Sequence, residues 1–350
     1  MSSIRAVVGR AAKRVPPIAR LRADRDAWTA RAGAAQREAD TERERCAGLA
    51  AQLAAQHVAL ADVTQQLEDA MGGADARQAF PPGHFYSPIP NLAEVREREE
   101  SIFDRSRRTL PGLDPQADRQ LAHLPRFAEL YAEQPFQRGP QEGLRYCFDN
   151  GFFSYGDGLA LYCMLRDFAP RQVVEVGSGW SSAIMLDVND VFFDGATHLT
   201  FIEPYADRLH ELMRPSDTER VTLIERPLHN APDSVFAELA AGDMLFIDST
   251  HVSRVGSDVN RLLLDVIPAL PAGVLVHVHD VFWPFEYPKQ WIYEGRAWNE
   301  DYLLRALLTS NDRLSITWFN NYLHCFHADE VAAAMPLWRE NSGGSIYLTT

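Results

Sequence analysis

Cysteine is scarce in this chain of 350 residues: Cys46, Cys147, Cys163 and Cys325 lie far apart and form no C-x-x-C pair. That spacing excludes a disulfide framework and a zinc knuckle, and it points to a reducing, cytoplasmic setting. No apolar run approaches the ~20 residues of a membrane-spanning helix, so no transmembrane segment is expected. Basic residues are outnumbered, 34 Lys and Arg against 48 Asp and Glu, for a formal charge of -14. A nucleic-acid partner, which requires clustered cations, is thereby disfavoured. The N-terminus carries Arg5, Arg10, Lys13, Arg14 and Arg20, but its apolar stretches are too broken for a secretory signal. Proline is absent between Pro17 and Pro81. What is present is apolar content of 46%, enough for a sizeable core, in a length that allows one large domain and an appendage.

Three segments follow from pattern. Residues 1–75 are rich in Ala, Arg, Glu and Gln, and Leu53, Leu60 and Leu67 recur every seven residues with Leu49 and Val63 in the alternate seam. This is a basic tail followed by an amphipathic helix, ended by Gly72-Gly73. The seam fits a short coiled coil joining copies of the chain and, equally, a solvated single helix. The basic residues 4–25 fit a tail better than a membrane-surface helix, because their apolar residues are few and small. Residues 76–147 form a proline-containing connector. Phe80–Asn91 is expected to be extended, since residues before proline avoid the helical region. Helices are expected over Leu92–Arg108 and Leu121–Glu133. The aromatic content of Phe85, Tyr86 and Phe136 suggests packing on the main domain, with the histidine and rings bordering a substrate cleft.

From 148 to 350 the pattern is α/β. Strands are expected at Gln172–Val176, Leu199–Glu203, Val221–Glu225, Met244–Asp248, Val274–His279, Leu314–Phe319 and Ser345–Leu348. Helical segments lie between them, at Asp157–Asp167, Ser181–Val188, Ala206–Met213 and Ser257–Ile267. Such alternation predicts a mostly parallel, Rossmann-like seven-stranded sheet with helices on both faces.

The most informative stretch is VVEVGSGWSS, Val173 to Ser182. A buried strand ends at an acid, Glu175, then Gly177-Ser178-Gly179 make a tight turn into a helix N-terminus, where a ligand can approach backbone N–H groups. Glu203 closes the next apolar run, where a carboxylate can accept hydrogen bonds from ribose hydroxyls. Dinucleotide-binding turns prefer a third glycine, and here Ser182 holds that place.

The hydrophobic–acid–hydrophobic–G-x-G form resembles motif I of class I S-adenosylmethionine-dependent methyltransferases. The resemblance implies that Glu175, Gly177, Ser178, Gly179 and Glu203 hold S-adenosylmethionine, and it fits the reversed last strand of that family's sheet. The fourth strand, DMLFIDSTH, ends in Asp248 and His251; after a Pro-Ala-Leu-x-x-Gly turn, the fifth, GVLVHVHD, ends in His279 and Asp280. This combination resembles the family 24 branch of small O-methyltransferases and, more distantly, metal-dependent sugar and macrolide O-methyltransferases. It implies methylation of a sugar, glycan or other small-molecule hydroxyl.

A hydroxyl is a poor acid, so its transfer chemistry needs a base or a metal. His251 and His279 are the candidate proton acceptors. In the metal-dependent relatives, carboxylates at these two strand ends bind a divalent cation, which points to Asp248 and Asp280, with Asp248 also near the cofactor. His279 replaces a carboxylate frequent in the sugar-specific branch, and a His–Asp site suits a transition metal better than Mg²⁺. His277, inside a strand, reads as a core residue. Upstream, Tyr155 and Asp157 in FDNGFFSYGDG are placed to touch the methionine end, or Asp157 simply occupies a helix first turn. Val281 to Glu300 crowds Trp283, Phe285, Tyr287, Trp291, Tyr293 and Trp298 into one loop, for stacking on an acceptor or for filling a seam, with Asn299 as the next helix cap. The rival readings are an NAD-type Rossmann oxidoreductase and an inactive methyltransferase-fold scaffold.

Overall fold

The computed structural model describes residues 25–29, 31, 45 and 79–350. The chain divides into two units, Met1–Ala79 and Phe80–Thr350. In the first, residues 25–29 are helical and exposed, with Trp28 open to solvent. The seam residues Leu49, Leu53, Leu60, Val63 and Leu67 lie outside the described residues.

The second unit is built on seven strands: β1 (Gln172–Val176), β2 (His198–Ile202), β3 (Val221–Ile224), β4 (Met244–Ile247), β5 (Leu275–Val278), β6 (Ser315–Phe319) and β7 (Ile346–Thr349). They order as β3-β2-β1-β4-β5-β7-β6, with β1 to β5 parallel and β7 antiparallel to both neighbours. The expected strands are all present, displaced by no more than a residue or two. The interior strands read as continuous apolar runs because helices cover both faces of the sheet. In β4 every residue is buried, and each such side chain contributes about 1.5–3 kcal/mol before entropy is subtracted.

The helices that matter are α1 (Leu124–Glu133), α2 (Tyr155–Phe168), α3 (Trp180–Phe192), α4 (Asp207–Leu212), α5 (Glu300–Leu308), α6 (Asn320–Phe326) and α7 (Ala328–Ala334). Helix α2 is buried from Tyr155 through Leu165 and ends where Ala169 turns left-handed ahead of Pro170. Helix α1 places Phe127 and Leu130, three residues apart, into the main core, where Leu110, Leu113 and Phe136 join them. The indole N–H of Trp283 donates to the Arg107 carbonyl at 2.6 Å. The connector is thus part of the unit's packing. Arg145 adds a buried ionic knot, donating to Asp187 at 2.7 Å, Asp190 at 2.9 Å and Asp217 at 2.6 Å.

Two local expectations are corrected. Phe80–Asn91 is not extended but folds into successive turns, with Gly83 at φ +81° and its N–H donating to the Ile89 carbonyl. Prolines set φ, and the glycine then lets the chain reverse between them. The helix expected to Arg108 breaks at Arg98 and stops at Ile102.

Strand order reverses between β1 and β4, so their carboxyl ends flank a crevice, the place where open parallel sheets bind ligands.

Candidate active site

The turn after β1 is held from beneath. Gly177 has φ +84°, and a Cβ there would lie 1.7 Å from the Asp248 carbonyl oxygen. Only glycine allows the β1 and β4 ends to approach this closely. Gly179 is different: its φ of 174° is ordinary extended backbone, and a Cβ would meet only Arg208 Cδ at 3.4 Å. Glu175 is fully buried. The Ser181 hydroxyl donates to it at 2.5 Å and the Ser182 hydroxyl donates to its other oxygen. Burial pushes the Glu175 carboxyl up to about 8, against those hydrogen bonds. Ser182 Oγ also accepts the Gly179 N–H at 3.0 Å. A glycine at position 182 could do neither, which gives the departure from the dinucleotide pattern a physical purpose. Glu175 therefore braces the turn through two serine hydroxyls and lines neither cleft.

Glu203 lies at the end of β2, partly exposed. It accepts the Ser178 N–H at 3.1 Å and the Tyr205 N–H at 2.8 Å, which fixes its carboxylate and leaves further lone pairs free. It lines a cleft of about 720 Å³ with Gly177, Tyr205, His229, Ser249 and Thr250.

A second cleft, of about 430 Å³, is lined by Phe153, Ser178, Gly179, Asp248, His279, Asp280, Trp291 and Trp298, among others. Beneath it lies a cluster of ionisable groups, with His251, His279, Asp157 and Glu300 buried and Asp248 and Asp280 half-buried. His279 Nδ1 lies 3.4 Å from Asp248 Oδ1 and 3.8 Å from Asp280 Oδ1, and its Nε2 lies 3.5 Å from Asp157 Oδ2. His251 Nε2 lies 3.4 Å from Asp248 and 3.7 Å from Asp280, while its Nδ1 is 2.9 Å from Glu300. His251 and Asp280 both adopt positive φ, 59° and 57°, strained conformations for residues with a Cβ that concentrate at functional turns.

Electrostatics binds this cluster together. Burial would lower both imidazoles, but the carboxylates outweigh it. Asp248 and Glu300 push His251 up to about 10, and Asp280 and Asp248 hold His279 well above its ordinary value. Burial would raise Asp248, yet the two histidines hold it well below the usual carboxylate range. Burial dominates at Asp280 and Glu300, whose carboxyls are raised despite the neighbouring imidazoles. The carboxylates thus shift both imidazoles toward the protonated form.

Several candidate residues fall elsewhere. The Tyr155 hydroxyl is turned to Asp149 and to Arg138 at 3.0 Å, and lines neither cleft. Asp157 joins the site in its place: Oδ1 accepts from the Gly344 N–H, the Ser345 N–H, the Ser345 hydroxyl and the Asn320 amide, leaving Oδ2 toward His279. His277 is fully buried, stacked at 3.7 Å on Phe246 and hydrogen-bonded to Ser345. His84, Phe85 and Tyr86 border neither cleft, and Phe136 is in the core. Of the aromatic loop, Trp283, Phe285 and Tyr287 are buried and fill the seam, while Trp291 and Trp298 wall the second cleft. Asn299 sits at the α5 cap position, but its side chain bonds the Ser253 backbone instead. Glu300 went unnoticed in the sequence. Its only signal is its place just after that cap, where the His251 carbonyl accepts the N–H groups of both Asn299 and Glu300.

The fit to a metal is poor. Among the described residues, no group of three or more His, Cys, Asp or Glu side chains is arranged to hold a metal ion. Asp248 and Asp280 instead face imidazole nitrogens at 3.4–3.8 Å, as ion-pair partners of His251 and His279. The fit to S-adenosylmethionine is good. The cradle at Gly177 admits no Cβ, Glu203 is anchored for a ribose, and Ser178 Oγ and Ser249 Oγ are buried without partners beside the crevice.

Residues 174–281 match the family 24 model of methyltransferases, described as a methyltransferase domain. A protein of Archaeoglobus fulgidus, described as uncharacterized, is 37% identical over 171 residues, covering 46% of this chain and 73% of the relative. Among solved structures, the Podospora anserina methyltransferase PaMTH1 bound to S-adenosylhomocysteine is 16% identical, with 78% of this chain and 98% of that chain covered at a TM-score of 0.36. The O-methyltransferase TomG of Streptomyces achromogenes, bound to S-adenosylmethionine, is 16% identical, with 65% and 87% covered at a TM-score of 0.32. The glycine cradle, the anchored acid on β2 and the sheet order thus meet a family match over the same strands, and the chain belongs to the family 24 methyltransferases, enzymes that depend on S-adenosylmethionine.

Proposed function

We propose that the enzyme methylates a hydroxyl oxygen of a small molecule, with sugars and glycans as the leading acceptor class. One observation carries this reading. The two clefts adjoin at consecutive residues, Gly177 and Ser178 on one strand end and Asp248 and Ser249 on the other. A ligand in the first and an acceptor in the second would meet at that junction. Gly177, Ser178, Gly179 and Glu203 would hold the cofactor, with Glu175 positioning the turn. When bound, S-adenosylmethionine supplies an electrophilic methyl group on a sulfonium.

The chain's own residues handle the acceptor proton. His279 faces the second cleft, and Asp157 stands at its Nε2. That pairing favours the tautomer with Nε2–H toward Asp157 and leaves Nδ1 to accept a proton from the hydroxyl. His279 must first lose its own proton, and a positive charge in the adjoining cleft favours that loss. His251 lines neither cleft and is pinned by Glu300, so it acts as a positioning cation between Asp248 and Asp280. No step is assigned to a metal.

The arm, residues 1–75, is the candidate for joining copies of the chain through its leucine seam. A reducing, cytoplasmic setting agrees with the free thiols of Cys147, Cys163 and Cys325. Among the described residues, no helix is long and apolar enough to cross a membrane.

The test is transfer from methyl-labelled S-adenosylmethionine to a panel of hydroxylated sugars and phenols, with products identified by mass spectrometry. A base-stable methyl ether is the expected product. Transfer confined to nitrogen or carbon acceptors would refute the assignment.

A further inference from the structure

The floor of the second cleft carries Asp248 and Asp280 beside His279, and its rim carries two arginines. Arg208, on α4, lies with its guanidinium carbon 3.9 Å from the Phe152 ring centroid. Among the described residues it has no carboxylate within ion-pair distance. Phe152 itself is 63% exposed, a ring left in solvent at a cleft edge. Arg296, from the loop after β5, lies 4.3 Å from the Trp291 centroid and 5.2 Å from that of Trp298. Its partner Glu294 stands at 3.4 Å, and both side chains are about 40% exposed, so this pair holds the guanidinium only weakly.

A guanidinium stacked on an aromatic face is partly pre-organised, weakly hydrated and still able to donate in its plane. In a chain of charge -14, two such cations at one cleft run against the general field. They give the cleft a direction. An anion is attracted at the rim, while a neutral hydroxyl is accepted beside His279. The indoles of Trp291 and Trp298 add flat apolar walls suited to a ring.

We infer that the acceptor is a hydroxylated ring bearing a carboxylate or phosphate, whose anionic group is held by Arg208 and Arg296 at the rim while its hydroxyl reaches His279. This rests on the O-methyl transfer reading above and names the acceptor class for that same site.

The experiment compares matched probes on the full chain saturated with S-adenosylhomocysteine, by calorimetry and indole fluorescence. The probes are glucuronate against its amide, 4-hydroxybenzoate against 4-hydroxybenzamide, and glucose 6-phosphate against glucose. The expected result is at least tenfold tighter binding of the anionic member in one or more pairs, weakening with salt. Arg296→Gln and Arg208→Gln should each remove most of that preference while changing S-adenosylhomocysteine affinity less than twofold. The phosphate and carboxylate pairs identify which anion is preferred. Equal or tighter binding of the neutral member in all pairs, or no binding of any anionic probe at millimolar concentration, would overturn the inference. So would a preference that survives in the double variant. If Arg208→Gln instead weakens S-adenosylhomocysteine and leaves the preference intact, Arg208 serves the cofactor and its part here is wrong. Failure of the unmodified chain to bind S-adenosylhomocysteine is a separate result; it would sink the methyl-transfer reading and this inference with it.

Discussion

Replacing Gly177 by alanine tests the geometry at the centre of the site. The new Cβ would lie 1.7 Å from the Asp248 carbonyl oxygen, far inside contact distance, and the atom it meets is backbone. Residue 177 would also have to hold φ near +84° with a side chain. The left-handed conformation costs about 1–2 kcal/mol for a residue with a Cβ. Relieving the overlap by shifting packed strands costs about 1–3 kcal/mol more. The sum, about 2–5 kcal/mol, should lower the melting temperature by roughly 4–20 °C for a unit of this size. Because Asp248 and Ser249 stand at the junction of the two clefts, the same shift should weaken S-adenosylmethionine binding at least tenfold. Gly179→Ala is the control. Its backbone is extended and its nearest neighbour is the movable end of Arg208 at 3.4 Å, so stability should change by less than about 1 kcal/mol. Thermal unfolding and calorimetry on both variants decide the matter. Equal melting temperatures for the two would show that the close approach of β1 and β4 is not what requires glycine.

Glu203→Ala removes the acceptor for the Ser178 and Tyr205 N–H groups and the expected ribose contact. It should weaken cofactor affinity about tenfold or more with little change in turnover at saturation, and unchanged affinity in a titration would refute that role. His279→Ala should lower turnover by about 10²–10⁴ while leaving cofactor affinity nearly intact. The His279 pKa is raised above 6.5 in the free protein, so its proton-accepting form is lost as pH falls through that raised value. The acid limb of kcat/KM should therefore lie above pH 6.5, and a limb at or below it counts against His279 as the acceptor. Exhaustive chelation should leave turnover unchanged, since the strand-end carboxylates already face imidazoles; a loss restored by one added cation would refute this. Light scattering should report a smaller assembly for a chain beginning near Phe80 than for the full chain, and the same protomer count in both would remove the arm from assembly.

Much of this fold is legible because the sheet is parallel and buried. Runs such as MLFI at β4 and LVHV at β5 have no exposed face, so they appear as uninterrupted apolar stretches bounded by turn residues. The glycine turn was legible for a chemical reason: close backbone approach admits few residue types. Boundaries failed where local propensity was the only guide. The Phe80–Asn91 stretch reads as extended from its prolines, yet Gly83 reverses it. Nothing in the spacing of Arg145, Asp187, Asp190 and Asp217 announces that they form one buried knot, because the contacts span up to 72 residues.

The site was legible one strand at a time and illegible as a network. Asp248, His251, His279 and Asp280 could be placed at two strand ends by alternation alone, and the structure does gather them. What pattern could not supply was the partner at the far side of each ring. Asp157 arrives from the helix before β1 and Glu300 from the helix after the aromatic loop, and each approaches the imidazole nitrogen its strand-end neighbours leave open. Asp280 and Asp248 raise His279 against burial, with Asp157 adding to them, while Asp248 and Glu300 raise His251. Holding both rings toward their protonated form therefore demands close convergence of rings and carboxylates that are remote in sequence. The positive φ at His251 and Asp280 is the structural trace of that demand: the chain bends against its preference at the two places where a ring and a carboxylate must face each other.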